Sequence, residues 1–347
     1  MIWLTWRQFR VPALVVYAAL LALALTLALT GGGLADAYRD SAATFLDQIG
    51  ADRFDRTLYV VGVLTTHAVP GVIGAFWGAP MVARELEAGT HRLIWTQGVT
   101  RVRWLTTKLG LGMLGAMAAG ALVSLAMTWW ARPIDQAVAA GHEAQGSVFE
   151  LARIVPEMFG SRGIAPIGYA AFAFALGVAA GAILRRTVPA IAVTLVVYVL
   201  IQIVLPNWVR PALVEPERET VAFSADNLIG IMGEGPDKPI DRLDISIAAA
   251  GSWHLSSETV DASGEIATSV PSWVVECLPA PPGTETAEPD PRVQACFDRL
   301  ADEGYRQEVT SHPAANYWPL QWRETGVMLL GAGLLSGLAF WRVRRLS

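Results

Sequence analysis

The densest set of chemistry-bearing side chains lies in the run ARELEAGTHRLIWTQGVTRVRWLTTKL, residues 83–109. It holds Arg84, Glu85, Glu87, Gly89, Thr90, Arg92, Thr100, Arg101 and Lys108 between two long apolar stretches. Acids and cations packed this way make an electrostatic handle that a soluble partner could push. Glu85 and Glu87 are expected near a helix start, where the helix dipole favours negative charge. Gly89 permits a turn, and Trp95 and Trp104 are expected to pin the flanking helices at a membrane surface. Arg92, Arg101, Arg103 and Lys108 are left to face lipid phosphates or an acidic groove. The plainer alternative is an inert basic loop.

Elsewhere the chemistry is sparse. The chain has no G-x-x-x-x-G-K-[ST] phosphate loop, no H-E-x-x-H and no G-x-S-x-G. No catalytic residue is assigned, and nothing here is expected to hydrolyse a nucleotide by itself. His67 and Gln202 are the polar side chains that stand out inside apolar runs. An ionisable group at such depth marks a possible functional site; the alternatives are a neutral imidazole bonded to a neighbouring helix and, for Gln202, interhelical glue. The only two cysteines, Cys277 and Cys296, are separated by 18 residues. Outside the cytoplasm they are expected to form a disulfide, which stabilises by about 3 kcal/mol in the chain-entropy picture. His254 and His312 have no ligand-like spacing to them, so no metal site is expected.

These residues must be positioned by membrane helices. The chain is 53% hydrophobic and 16% charged, with a mean hydropathy of +0.40, against about a quarter charged residues in an ordinary soluble domain. Six apolar runs are long enough to cross the hydrocarbon core as helices, which alone satisfy their own backbone there. They are residues 11–30, 58–83, 109–130, 164–184, 188–205 and 325–341. The first is read as a retained span, since it is longer than the apolar region of a signal peptide. With the N-terminus inside, the short inner segments hold Arg7, Arg10, Arg84, Arg92, Arg101, Arg103, Lys108, Arg185, Arg186, Arg342, Arg344 and Arg345, against only Glu85 and Glu87. That asymmetry predicts an N-in, C-in orientation.

The expected fold class is therefore an all-α polytopic membrane protein with six transmembrane helices and an extracytoplasmic mixed α/β insertion between spans five and six. Its divisions are a membrane domain at 1–205, an extracytoplasmic domain at 206–322, and a last span with a basic tail at 323–347. Residues 1–10 alternate tryptophan with basic residues and predict a short helix lying in the headgroup layer. Short outer helices are expected around Phe45–Ile49 and Val148–Met158. Gly74-x-x-x-Gly78, Gly177-x-x-x-Gly181 and Gly333-x-x-x-Gly337 each put small residues on one helix face, which lets helices, within or between protomers, approach closely.

The string RELEAGTHRL, followed by Thr100-Arg101, Trp104 and Lys108, resembles the motif of ABC-transporter permeases of the type-two exporter family. The six-span layout, basic aromatic N-terminus and large insertion before the last span are also similar to that family. The ratio of 24 arginines to two lysines resembles actinobacterial members. The resemblance covers the membrane part and implies a plasma-membrane permease subunit, paired with itself or a related permease. It implies a separately encoded ABC ATPase that holds ATP and Mg, with Arg84, Glu85, Glu87, Gly89, Thr90, Arg92, Thr100, Arg101 and Lys108 as the coupling residues. Export of a hydrophobic or amphipathic small molecule would follow. No cofactor is expected on this chain, and no nucleic-acid partner. The alternative is a membrane sensor or accessory protein whose outer domain binds a ligand or a cell-envelope partner.

Overall fold

The computed structural model describes residues 2–345, apart from residue 97 and residues 143–146, 224–227, 234–239, 246–249, 268–269, 272 and 275–290. The chain divides into two compact units, Met1–Val214 with Ala315–Ser347, and Glu215–Ala314.

Six helices of the first unit are long and apolar enough to span a membrane: Phe9–Asp40, Arg53–Glu87, Arg101–Trp130, Ala165–Leu184, Thr187–Leu213 and Ala314–Arg344. They are the first to sixth spans below. The fourth is the hub, with 83% of its apolar window buried against 17% for the first. Its composition explains this, because alanine and glycine at nearly every other position leave room for neighbours on all sides.

The second span is not a uniform α-helix. It runs as α-helix over Arg53–Ile73, widens to a π-helical turn at Gly74–Gly78, and resumes as α-helix over Ala79–Glu87. This widened turn packs on the fourth span through glycines. A Cβ at Gly78 would sit 2.6 Å from the Phe174 carbonyl oxygen, and one at Gly181 would sit 2.6 Å from that of Ala79. A Cβ at Gly177 would collide with the Gly74 carbonyl. Two of the three small-residue pairs therefore face each other, whereas Gly333 and Gly337 meet open space within the chain.

Several local expectations are changed. Residues 2–10 continue without a break into the first span as one helix, Ile2–Asp40, through Pro12, instead of forming a separate surface helix. The helix expected around Phe45–Ile49 forms, as Phe45–Ala51, and buries Phe45, Leu46 and Ile49. In the next connection the helix is at Arg132–Ala139, started by Pro133 at its first turn, and only Pro156–Phe159 of the expected Val148–Met158 helix is helical.

The second unit is mixed, as its short polar and β-branched runs imply. Strands β1 (Glu217–Val221), β4 (Trp253–Val260) and β5 (Arg306–His312) form an antiparallel sheet in the order β1-β5-β4. Strands β2 (Leu228–Gly233) and β3 (Ile240–Ile245) form a separate antiparallel pair. A helix at Pro291–Asp302 places Phe297 and Leu300 against Phe223, Val270 and Val274 in a small core. Cys296 lies half-buried on this helix, while Cys277, its expected disulfide partner, lies outside the described residues.

Candidate functional site

Residues 83–109 fold as the end of the second span, a turn, a short helix at His91–Thr96, a second turn, and the start of the third span. Gly89 makes the first turn in the left-handed region, φ +70°, which a side chain would strain. Thr100 caps the third span by accepting a 3.2 Å hydrogen bond from the Arg103 amide.

Glu85 and Glu87 occupy the last turn of the second span instead of a helix start. The dipole there is unfavourable to acids, and each carboxylate is instead stabilised by donors from another span. Glu85 is buried. Its Oε1 accepts a 2.6 Å bond from Lys108 Nζ, and its Oε2 accepts a 2.9 Å bond from the Trp104 indole. Lys108 also donates to the Met81 carbonyl at 3.1 Å, and its side chain is 3% exposed. Lys108 therefore faces neither lipid phosphate nor a partner: it ties the third span to the second. Trp104 likewise is fully buried and is not an interfacial anchor.

Glu87 is exposed and reaches the fifth span. Its Oε2 accepts from the Thr187 amide at 3.0 Å and the Thr187 hydroxyl at 2.8 Å, so it caps the first turn of the fifth helix. Arg185, in the left-handed region at φ 56°, ends the fourth span and turns the chain into that helix. Arg101 donates to the Arg344 carbonyl at 3.0 Å and stacks its guanidinium 4.5 Å from the centre of the Trp95 ring. Trp95 in turn packs edge-on against His91 and Trp104. Ends of the second, third, fifth and sixth spans are thus joined at one place.

What remains outward is smaller than the sequence implies. Arg84, Glu87, Thr90, Thr100 and Arg103 are exposed, and Gly89 is half-exposed. The Thr90 hydroxyl lies 3.5 Å from the Glu85 carbonyl. Arg92 lies within the His91–Thr96 helix, with its side chain outside the described residues. His67 and Gln202 do come together, but through a backbone group. The Tyr198 hydroxyl donates to the His67 carbonyl at 2.8 Å, and the Gln202 amide donates to Tyr198 at 3.0 Å. The His67 imidazole bonds its own helix at the Val63 carbonyl, 2.9 Å away. This is interhelical fastening between the second and fifth spans.

A second polar cluster, at the opposite end of the bundle, was not singled out from the sequence. Arg210 of the fifth span makes a bidentate pair with Glu324 of the sixth, at 2.6 and 2.9 Å, and both are fully buried. The Tyr169 hydroxyl of the fourth span donates to the same carboxylate at 2.7 Å. Nearby, Arg162 pairs with Asp135 and donates to the Tyr59 hydroxyl at 2.5 Å. Gln321 accepts from the Ile164 and Ala165 amides and donates to the Phe159 and Arg162 carbonyls. The sequence signal was there. Arg210 and Glu324 sit at facing ends of successive apolar runs and carry opposite charges.

Six apolar helices around a fourth-span hub, with a charged loop fastening one end, define a multi-pass membrane protein. Residues 13–210, more than half of the chain, match the family described as ABC-2 membrane transporter related, and the chain belongs to that family. No curated protein and no solved structure matches it.

Proposed function

We propose that the protein is the permease subunit of an ATP-driven ABC transporter of the plasma membrane, oriented N-in and C-in, that exports a hydrophobic or amphipathic small molecule. A separately encoded ATPase binds ATP and Mg and seats on the charged loop, with the exposed Thr90, Thr100 and Arg103 toward it. The permease pairs with a second copy or a related chain. Family membership supports the transporter class, and the charge asymmetry of the short segments supports the orientation.

The observation that carries the coupling reading is the set of ties behind the loop. A push on the turn at Gly89 acts at once on the third span through Glu85, Lys108 and Trp104, and on the fifth through Glu87 and Thr187. Arg101 extends the linkage to the sixth span. Spans fastened this way move as a block when the ATPase closes around nucleotide. Glu85, Lys108 and Arg101 are then transmitters behind the docking face.

In this orientation Glu215–Ala314 is extracytoplasmic, and Cys277 and Cys296 form a disulfide there. The test of docking is co-purification. The full-length protein is expected to bring down a soluble ATPase carrying a Walker A motif, and Arg103→Glu, which changes an exposed side chain, is expected to lose it. Equal recovery of that ATPase with Arg103→Glu and with Gly89→Pro sinks the docking reading.

A further inference from the structure

Where the first and second spans part, near Glu85, a groove of about 230 Å³ opens between them. Phe9, Pro12, Phe76, Pro80 and Met81 are among its apolar lining, and Arg84 lines it too. Phe76 is 53% exposed, so the groove opens sideways toward the region that lipid occupies around a spanning helix. From Phe76 to Arg84 it follows roughly 12 Å of helix.

Its charge is one-sided. Glu85 also lines the groove, but its carboxylate is engaged by Lys108 and Trp104. Arg84 is exposed, and its guanidinium makes no hydrogen bond or ion pair among the described residues. A long apolar wall ending in an uncommitted guanidinium at a span end matches an amphiphile with an anionic head. Hydrocarbon lies along the rings, and a phosphate takes charge-assisted hydrogen bonds from the arginine. The volume is below the roughly 300–1,000 Å³ of a pocket that encloses a drug-sized ligand. It suits a stretch of one acyl chain, with the rest of the molecule in the bilayer.

We propose that this groove binds an anionic phospholipid of the surrounding bilayer, one acyl chain lying against Phe9, Phe76 and Pro80 and its phosphate held by Arg84. The lipid then sits against the π-helical turn Gly74–Gly78, which supplies Phe76 to the wall. This site requires no ATPase and stands or falls separately from the docking face.

The test is native mass spectrometry of the full-length protein in a neutral detergent, titrated with phosphatidylglycerol or with phosphatidylcholine of the same chains. The protein is expected to retain phosphatidylglycerol at several-fold lower lipid concentration. Arg84→Gln is expected to bring phosphatidylglycerol down to the phosphatidylcholine level, and Phe76→Ala to weaken both lipids. Unchanged circular dichroism and melting show that each variant is folded. The proposal is overturned if the wild type retains both lipids equally, or if the preference survives Arg84→Gln. It is also overturned if Arg10→Gln alone removes the preference, which would put the lipid in the neighbouring groove of about 200 Å³ that Arg10 lines. Displacement by excess glycerol 3-phosphate would show a free anion site and equally contradict the acyl groove.

Discussion

Replacing Lys108 by methionine removes the ammonium that holds the end of the second span to the third, while keeping most of the side-chain volume. In the folded protein the two side chains are 3% and 9% exposed, and the Nζ–Oε1 distance is 2.6 Å. Removing one partner of a buried pair typically costs about 3–5 kcal/mol, because the other charge stays buried. Here the Trp104 indole still donates to Oε2 at 2.9 Å, and a hydrogen bond to a charged group contributes about 1.5–3 kcal/mol. The expected loss for Lys108→Met is therefore at the lower end of the range, about 3 kcal/mol. Glu85→Gln with Lys108→Met removes both charges, leaves an amide oxygen for the indole, and is expected to stay within about 1 kcal/mol of wild type. The assay is denaturant unfolding of the purified chain in detergent, as a double-mutant cycle. A cost below about 1 kcal/mol for Lys108→Met, or a double substitution that costs the sum of the singles, would show that the buried pair does not hold the two spans together.

At the opposite end, Glu324→Gln breaks the bidentate pair with Arg210 and is expected to destabilise by about 3–5 kcal/mol, read by the same unfolding measurement. Gly177→Ala forces apart the second and fourth spans and is expected to cost about 1–3 kcal/mol, whereas Gly337→Ala, which meets open space within the chain, stays within about 0.5 kcal/mol. Glu87→Ala uncaps the fifth span, so amide exchange is expected to rise over Thr187–Ala190 in hydrogen-exchange mass spectrometry while exchange in the fourth span is unchanged. For the orientation, a cysteine placed at Thr90 is expected to react with an impermeant thiol reagent only after cells are opened. Native Cys277 and Cys296 are expected to react only after reduction, and free reaction in intact cells without reductant contradicts the bridge.

Much of this architecture was legible because hydropathy responds to the absence of water. The six apolar runs stand out against only 16% charged residues, and each lies largely within one long helix. The same signal does not separate contact with lipid from contact with protein. The fourth span therefore read like the others, although it is buried and the first is not. The glycine pairs at 74/78 and 177/181 were visible, and their meeting required knowing which helices are neighbours. The loop was legible as a motif and misread in its geometry. Glu85 and Lys108 are 23 residues apart, and only the antiparallel packing of the second and third spans turns them toward one another. The loop's cations read as exposed because isolated charges avoid burial, and Lys108 escapes that rule by being paired. The Arg210–Glu324 pair shows in sequence only as opposite charges at facing ends of two apolar runs, and its 114-residue separation across the inserted unit leaves the pairing to be set by helix packing. The composition of residues 1–10 predicts a separate surface helix, whereas Ile2–Asp40 is one continuous helix that accommodates Pro12.

An ATPase that applies its force at the Gly89–Thr90 turn, as proposed, must lie against Thr90. The most direct measurement places a photocrosslinking amino acid at Thr90, which is exposed beside that turn, and irradiates native membranes. The account predicts a covalent adduct with a Walker A-bearing ATPase, and none when the same group replaces Leu14 on the exposed face of the first span. An equally expressed protein that gives no ATPase adduct at Thr90, or the same adduct at both positions, would contradict it.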